Sequence, residues 1–259
     1  MSHSGDPGCS LSDVSIAGPA AAGCCCAAAA RASIGPRDNW AQSIAKDSSR
    51  VSRFAVVVRI WLLSFVACAA AAAFSFAKLD VPVARRVWLT GPDLSTLNTS
   101  FGATVILSLE SAVVLGLIIA RLVRGHISRF SATLALACLA SICAYGINDE
   151  VLKPLFGVPA PYQVVDGARH AFNFAAGIAA SSFPSGHMML AGAFAGVFMR
   201  FYRVSILPLA ALLLIAAALL VVGDWHFISD VIVGTFLGVS AGALAGEGWS
   251  VHMFDPKYR

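Results

Sequence analysis

Ser181-Ser-Phe-Pro-Ser-Gly-His-Met-Met-Leu190 leads into an apolar run that continues to Phe201. Pro184-Ser-Gly-His187 stands directly before that run, so it is expected to form the first turn of a membrane helix. Backbone N–H groups there have no intrahelical partner and point at whatever lies in front of them. Such a turn binds anions; Ser185 adds a hydroxyl, Gly186 lets a ligand approach the backbone, and His187 can carry a proton near neutral pH. The same four residues also read as an ordinary helix cap, and the stretch alone does not separate the two readings.

Composition sets the class. Of 259 residues, 58% are hydrophobic and 12% charged, and the mean hydropathy of +0.78 is too high for a water-soluble domain. The chain reads as an all-α integral membrane protein whose partner is the lipid bilayer. The net charge of +4 is scattered between apolar runs, and nucleic-acid binding has no support. None of the seven cysteines has metal-ligand spacing, and Cys68, Cys138 and Cys143 read as small side chains at lipid depth.

Residues 1–52, rich in Ala, Gly, Ser and Cys at the start, carry no period that buries a face and are expected to be a disordered tail. A membrane domain follows over 53–250, then a short tail over 251–259. Within the domain, six apolar runs approach the length needed to cross about 30 Å of hydrocarbon. They are Ile60–Ala77, Ala103–Ala120, Ser131–Ile147, Pro184–Phe201, Ser205–Val222 and Ser229–Ala245. Of the 18 Lys and Arg residues, only Lys78, Arg85, Arg86, Lys153 and Arg169 fall on the side opposite the termini. The positive-inside rule therefore puts both termini in the cytoplasm. That topology brings Lys153, Ser185, His187, His226 and Asp230 to one extracytoplasmic boundary and leaves His126 and His252 on the other side.

Asp224-Trp-His-Phe-Ile-Ser-Asp230 joins the fifth and sixth runs. His226 and Asp230, four apart, share a helix face, where the carboxylate can fix the imidazole tautomer and raise its basicity. Asp230 reads equally as a charge favoured at a helix N-terminus. With His187 as a second histidine, the set provides nucleophile, acid and anion site for phosphoryl transfer without a metal or other cofactor. The rival chemistry is a metal held by His187, His226 and a carboxylate, which lacks an H-E-x-x-H pairing.

At this point Lys153-Pro-Leu-Phe-Gly-Val-Pro-Ala-Pro161, Pro184-Ser-Gly-His187 and His226-Phe-Ile-Ser-Asp230 resemble, in order, the three signature motifs of the type 2 phosphatidic acid phosphatase (PAP2) superfamily, over about Ile60 to Trp249. The resemblance implies a six-helix bundle and a metal-independent lipid phosphatase acting through a phosphohistidine. By carry-over His226 is the nucleophile, Asp230 orients it, His187 is the acid, and Lys153, Ser185 and Gly186 bind the phosphate of a lipid substrate. A bacterial inner membrane, with the site facing the periplasm, is the expected location.

Two positions depart from the pattern: Ala160 and Leu220 stand where the family carries arginines. A charged hydrogen bond is worth about 1.5–3 kcal/mol, so the phosphate clamp is weaker. A headgroup phosphotransferase using the same histidine, replacement of the charge by Arg169 or by Arg85 and Arg86, and an inactive scaffold or transporter are the open alternatives. His170, beside Arg169, is either a headgroup contact or half of an exposed loop pair. Asp224 either tunes His226 or shapes a turn. Glu110, mid-run, is expected to face the bundle, and Gly234, Gly238 and Gly242 have the spacing that lets helices pack closely.

Overall fold

The computed structural model describes residues 36–91, 99–174 and 181–254, with side chains described over 55–91, 102–174 and 181–250. Two units are distinguished, residues 1–62 and 63–259. Among the described residues every element is helical: α1 Pro36–Lys78, α2 Asp80–Thr90, α3 Thr99–Arg124, α4 Arg129–Ile147, a π-helical turn Asn148–Leu152, α5 Lys153–Phe156, α6 Pro161–Val165, α7 Gly186–Phe201, a 3₁₀ turn Arg203–Ser205, α8 Ile206–Val222 and α9 Ile228–Phe254. α1 begins at Pro36, a residue suited to a first helical turn. Residues 36–52, expected to belong to the unstructured tail, are therefore helical; the remainder of that tail lies outside the described residues.

Among the described residues, five helical segments are long and apolar enough to cross a membrane: Ala55–Lys78, Gly102–Arg124, Arg129–Val165, Arg203–Val222 and Ile228–Ser250. The run Pro184–Phe201, expected as another crossing, is helical only from Gly186. Its 16 residues reach about 24 Å at 1.5 Å each, short of the bilayer core. The physical reason lies at its start. Ser185 is extended, with its hydroxyl accepting the Met188 N–H at 3.4 Å, so it is the cap and not a helical residue. Pro184, expected in the first turn, lies outside the helix.

This short helix is the most enclosed one. Gly186, Met188, Met189, Leu190, Gly192, Ala193, Ala195, Gly196 and Val197 are all buried, because α4 and α9 flank it. α4 runs antiparallel to α7: the Ser141 hydroxyl donates to the Leu190 carbonyl at 3.0 Å, and Asn148 Nδ2 donates to the Pro184 carbonyl at 3.2 Å. α9 runs parallel to α7 and packs closely on it, the close packing being what the glycine spacing anticipates. A Cβ at Gly234 would stand 2.6 Å from the Ser185 carbonyl oxygen, one at Gly238 2.5 Å from that of Met189, and one at Gly242 would run into that of Ala193. From the other side, a Cβ at Gly192 would meet Val239 N at 3.0 Å. The two backbones touch along about three turns, a contact only glycine permits.

α8 packs on the outside of this pair through Leu213 and Leu220, which join Met188, Ala195 and Val231 in one apolar cluster. Its other face is exposed at Leu207, Leu212, Leu214 and Leu219, as suits a lipid-facing helix. α3 and α1 show the same one-sided pattern at Leu109, Ile118, Leu122, Leu63 and Val66. Glu110 is buried, as expected of a carboxylate in mid-run.

Gly242→Val is expected to lower the unfolding midpoint in detergent, at a cost of about 1–3 kcal/mol for overpacking. Gly248→Ala, where a Cβ meets nothing within 4 Å, leaves it unchanged or slightly raised; circular dichroism melts of both check this.

Candidate active site

The parallel contact of α7 and α9 places their two N-termini side by side. The Ser185 N–H donates to the Asp230 carbonyl at 3.1 Å, fastening the cap of α7 to the first turn of α9. His187, one residue into α7, consequently faces His226: the two rings stand 5.8 Å apart, edge to face. The histidine pair assembled by topology from separate motifs is a pair in space.

His226 is held from two directions. α8 ends at Gly223, the chain turns through Asp224 at φ 55°, and the N–H groups of Trp225 and His226 both donate to the Leu220 carbonyl, at 3.1 and 3.3 Å. On the side-chain side, His226 Nδ1 lies 3.4 Å from Asp230 Oδ2. That same oxygen accepts the Phe227 N–H at 3.0 Å. One carboxylate oxygen thus touches both the first turn of its own helix and the His226 ring. Asp230 is fully buried and its Oδ1 has no hydrogen-bond partner among the described residues. With Nδ1 engaged, Nε2 of His226 is the nitrogen left for chemistry.

Ser185 and Gly186, which precede His187, are both buried. A Cβ at Gly186 would stand 3.1 Å from Asn148 Nδ2 and 3.2 Å from the Tyr145 ring, a tight fit against side chains at the end of α4. The N–H groups of Gly186 and His187 precede the first intrahelical bond of α7, while that of Met188 is taken by the Ser185 hydroxyl. Lys153 follows the π turn that Asn148 ties to Pro184; its ammonium is paired with Asp149 at 2.7 Å. Arg169 is exposed, as are Arg85 and Arg86 on α2. Ala160 caps α6 with 9% exposure, and the Leu220 side chain lies inside the apolar cluster of α8.

His170 is not half of an exposed loop pair. Its ring is stacked on Phe76 at 4.2 Å and packed against Phe227 at 4.5 Å, and its Nε2 lies 3.7 Å from Asp80 Oδ2, beyond hydrogen-bond range. Burial pushes the His170 pKa down, against the opposing pull of Asp80 and Asp230. Burial likewise pushes the Asp80 carboxyl up, against two hydrogen bonds from Ser229. The contact is thus drawn toward the neutral forms of both partners.

Asp80, Ser229 and Asn148 were not singled out in the sequence. Asp80 accepts the Ser229 N–H at 3.1 Å and the Ser229 hydroxyl across 149 residues of chain, a pairing without local signature. Asn148 is fully buried, with its Oδ1 unpartnered among the described residues; the polar run Asn148-Asp149-Glu150 at the end of an apolar segment was the available hint. Among the described residues no group of three His, Cys, Asp or Glu side chains is arranged to hold a metal ion.

Residues 130–249, which contain every one of these side chains except Asp80 and Phe76 and the Arg85 and Arg86 pair, match the family model described as the PAP2 superfamily. Comparison with curated proteins and with solved structures gives no match.

Asp224 shapes the turn, and neither of its buried carboxylate oxygens has a hydrogen-bond partner among the described residues. Burial pushes its pKa up to about 6. A folded-state value above the ordinary one means the folded protein binds the extra proton, so this group's contribution falls as pH rises from about 4 to about 6. Asp224→Asn, which also accepts a positive φ, is expected to raise the melting midpoint above pH 6 and to change it little below pH 4. Thermal melts across that range check the sign.

Proposed function

On the premise that residues 130–249 form a domain of the PAP2 superfamily, we propose that the protein is a membrane lipid phosphatase. It hydrolyses a lipid phosphate monoester or diphosphate through a phosphohistidine, without a metal. The observation that carries this reading is the histidine pair: His187 and His226 rings 5.8 Å apart, with Nδ1 of His226 turned to Asp230.

The steps follow from those positions. Nε2 of His226 attacks phosphorus while the bond from phosphorus to the lipid oxygen breaks, and His187 in its protonated form gives its proton to that oxygen. Asp230 stabilises the positive imidazole that forms. Water then attacks the phosphorus–nitrogen bond, His187 takes the water proton, and orthophosphate leaves with His226 restored. The N–H groups opening α7 face the charge that develops on the phosphoryl oxygens, with Ser185, Gly186 and Lys153 as phosphate-binding residues and Arg169 as a further substrate contact at the loop surface.

The distribution of arginine supports the orientation. Arg121 and Arg124 close α3, Arg129 opens the antiparallel α4, and Arg200 and Arg203 lie at and just past the end of α7, so the end of α7 away from His187 is the basic one, which the positive-inside rule makes cytoplasmic. We read α7, extended by Ser181–Ser185, as the sixth crossing, both termini as cytoplasmic and the site as extracytoplasmic, in a bacterial inner membrane.

Purified protein given short-chain phosphatidic acid is expected to release orthophosphate equally with and without EDTA, and His226→Ala to reduce release to background. His187→Ala is expected to lose least on substrates with an acidic leaving group. Loss of activity on chelation refutes the metal-free route; transfer of labelled headgroup to an acceptor lipid without phosphate release replaces hydrolysis by the transferase reaction.

A further inference from the structure

A helix N-terminus is closed most firmly when two side chains act reciprocally: one at the N-cap accepts an N–H from within the first turn, and one three residues on reaches back to the N-cap N–H. At α9 only the second half is local. Asp230 takes the Phe227 N–H, while Phe227, at the cap, has no oxygen to offer.

The missing half comes from α2. Asp80, 1% exposed, accepts the Ser229 N–H at 3.1 Å and the Ser229 hydroxyl. We infer that Asp80 is a positioning residue for the phosphoryl-transfer centre, a cap supplied in trans that holds the turn carrying His226 and Asp230; the inference rests on the reading of His226 as nucleophile.

Three observations support the role. Ser229 immediately precedes Asp230, so slack in the Ser229 N–H moves the carboxylate directly. The His226 Nδ1 to Asp230 Oδ2 distance of 3.4 Å already lies at the long end of hydrogen bonding, and a small displacement breaks it. α2 is also anchored to the same turn apolarly, Ala84 packing with Phe227 and Val164, so Asp80 arrives on a fixed support. The charge of Asp230 adds to the upward push that burial exerts on the Asp80 carboxyl. His170 closes the remaining side, wedged between Phe76 and Phe227.

The test uses the full chain in detergent, with dioctanoyl phosphatidic acid as substrate probe and hydrogen exchange by mass spectrometry over residues 225–232. Asp80→Ala is expected to lower kcat about 10- to 100-fold, the loss typical of a reacting group displaced by about an ångström. KM should stay within about twofold, since no substrate contact is removed. Ser229→Ala gives a smaller loss, and the double variant is no worse than Asp80→Ala because both changes break one interaction. Exchange over 225–232 accelerates in Asp80→Ala while the rest of α9 stays protected. Wild-type kcat, a KM rise with kcat intact, or unchanged exchange over 225–232 would each overturn the inference. If Asp80→Ala does not fold, Ser229→Ala decides, wild-type kcat and exchange there overturning it. If the unaltered protein releases no phosphate, the proposed function fails separately, and the exchange arm still shows whether Asp80 caps α9.

Discussion

The backbone contact between α7 and α9 is the constraint on which the rest depends. Helices in lipid gain little from burying apolar surface, so close approach must come from packing and from small residues. Gly234, Gly238 and Gly242 on α9 let the carbonyls of Ser185, Met189 and Ala193 come within a distance that any Cβ would obstruct. Parallel packing this tight leaves little freedom for one helix to slide on the other. It sets the two N-termini level, allows the Ser185 N–H to reach the Asp230 carbonyl, and so determines that His187 and His226 meet. A histidine pair built from residues 39 positions apart in sequence thus depends on the glycines of α9.

Around that contact, polar groups withdrawn from solvent serve double duty. Asp230 Oδ2 takes both the Phe227 N–H and the His226 ring; the cap restrains the carboxylate, and the carboxylate restrains the histidine. Asp80 extends the same arrangement from α2, and Asn148 does so from α4 by holding the Pro184 carbonyl. In a low-dielectric setting each such bond is strong when made and costly when missing, which favours a single arrangement of the turn. The Oδ1 atoms of Asp230 and Asn148 and the carboxylate of Asp224, like Glu110 Oε2 and His170 Nε2, are buried without a hydrogen-bond partner among the described residues.

Much of this was legible in the chain. Hydropathy identifies the crossings, because desolvation of a roughly 20-residue segment is a sum over residues and needs no tertiary knowledge. The four-residue spacing of His226 and Asp230 fixes a shared face by helix geometry alone, and the glycine spacing on α9 foretells a close neighbour. The length of α7 was overestimated because apolarity continues through Pro184 and Ser185 while helical hydrogen bonding does not. The π turn, α2 and the short helices α5 and α6 were read as loop, since their polar and proline-containing sequences carry no sustained period.

What the sequence by itself determined is local: which segments leave water, which residues share a turn, and which motifs follow one another. Only the tertiary structure decided that the His170 ring packs against Phe76 and Phe227, that a Cβ at Gly186 would crowd Asn148 and Tyr145, and that Asp80 bonds to the end of a helix 149 residues away. Such pairings leave no periodic trace, because a contact between distant segments constrains two single positions and not a pattern. They become visible only when packing has brought the segments together.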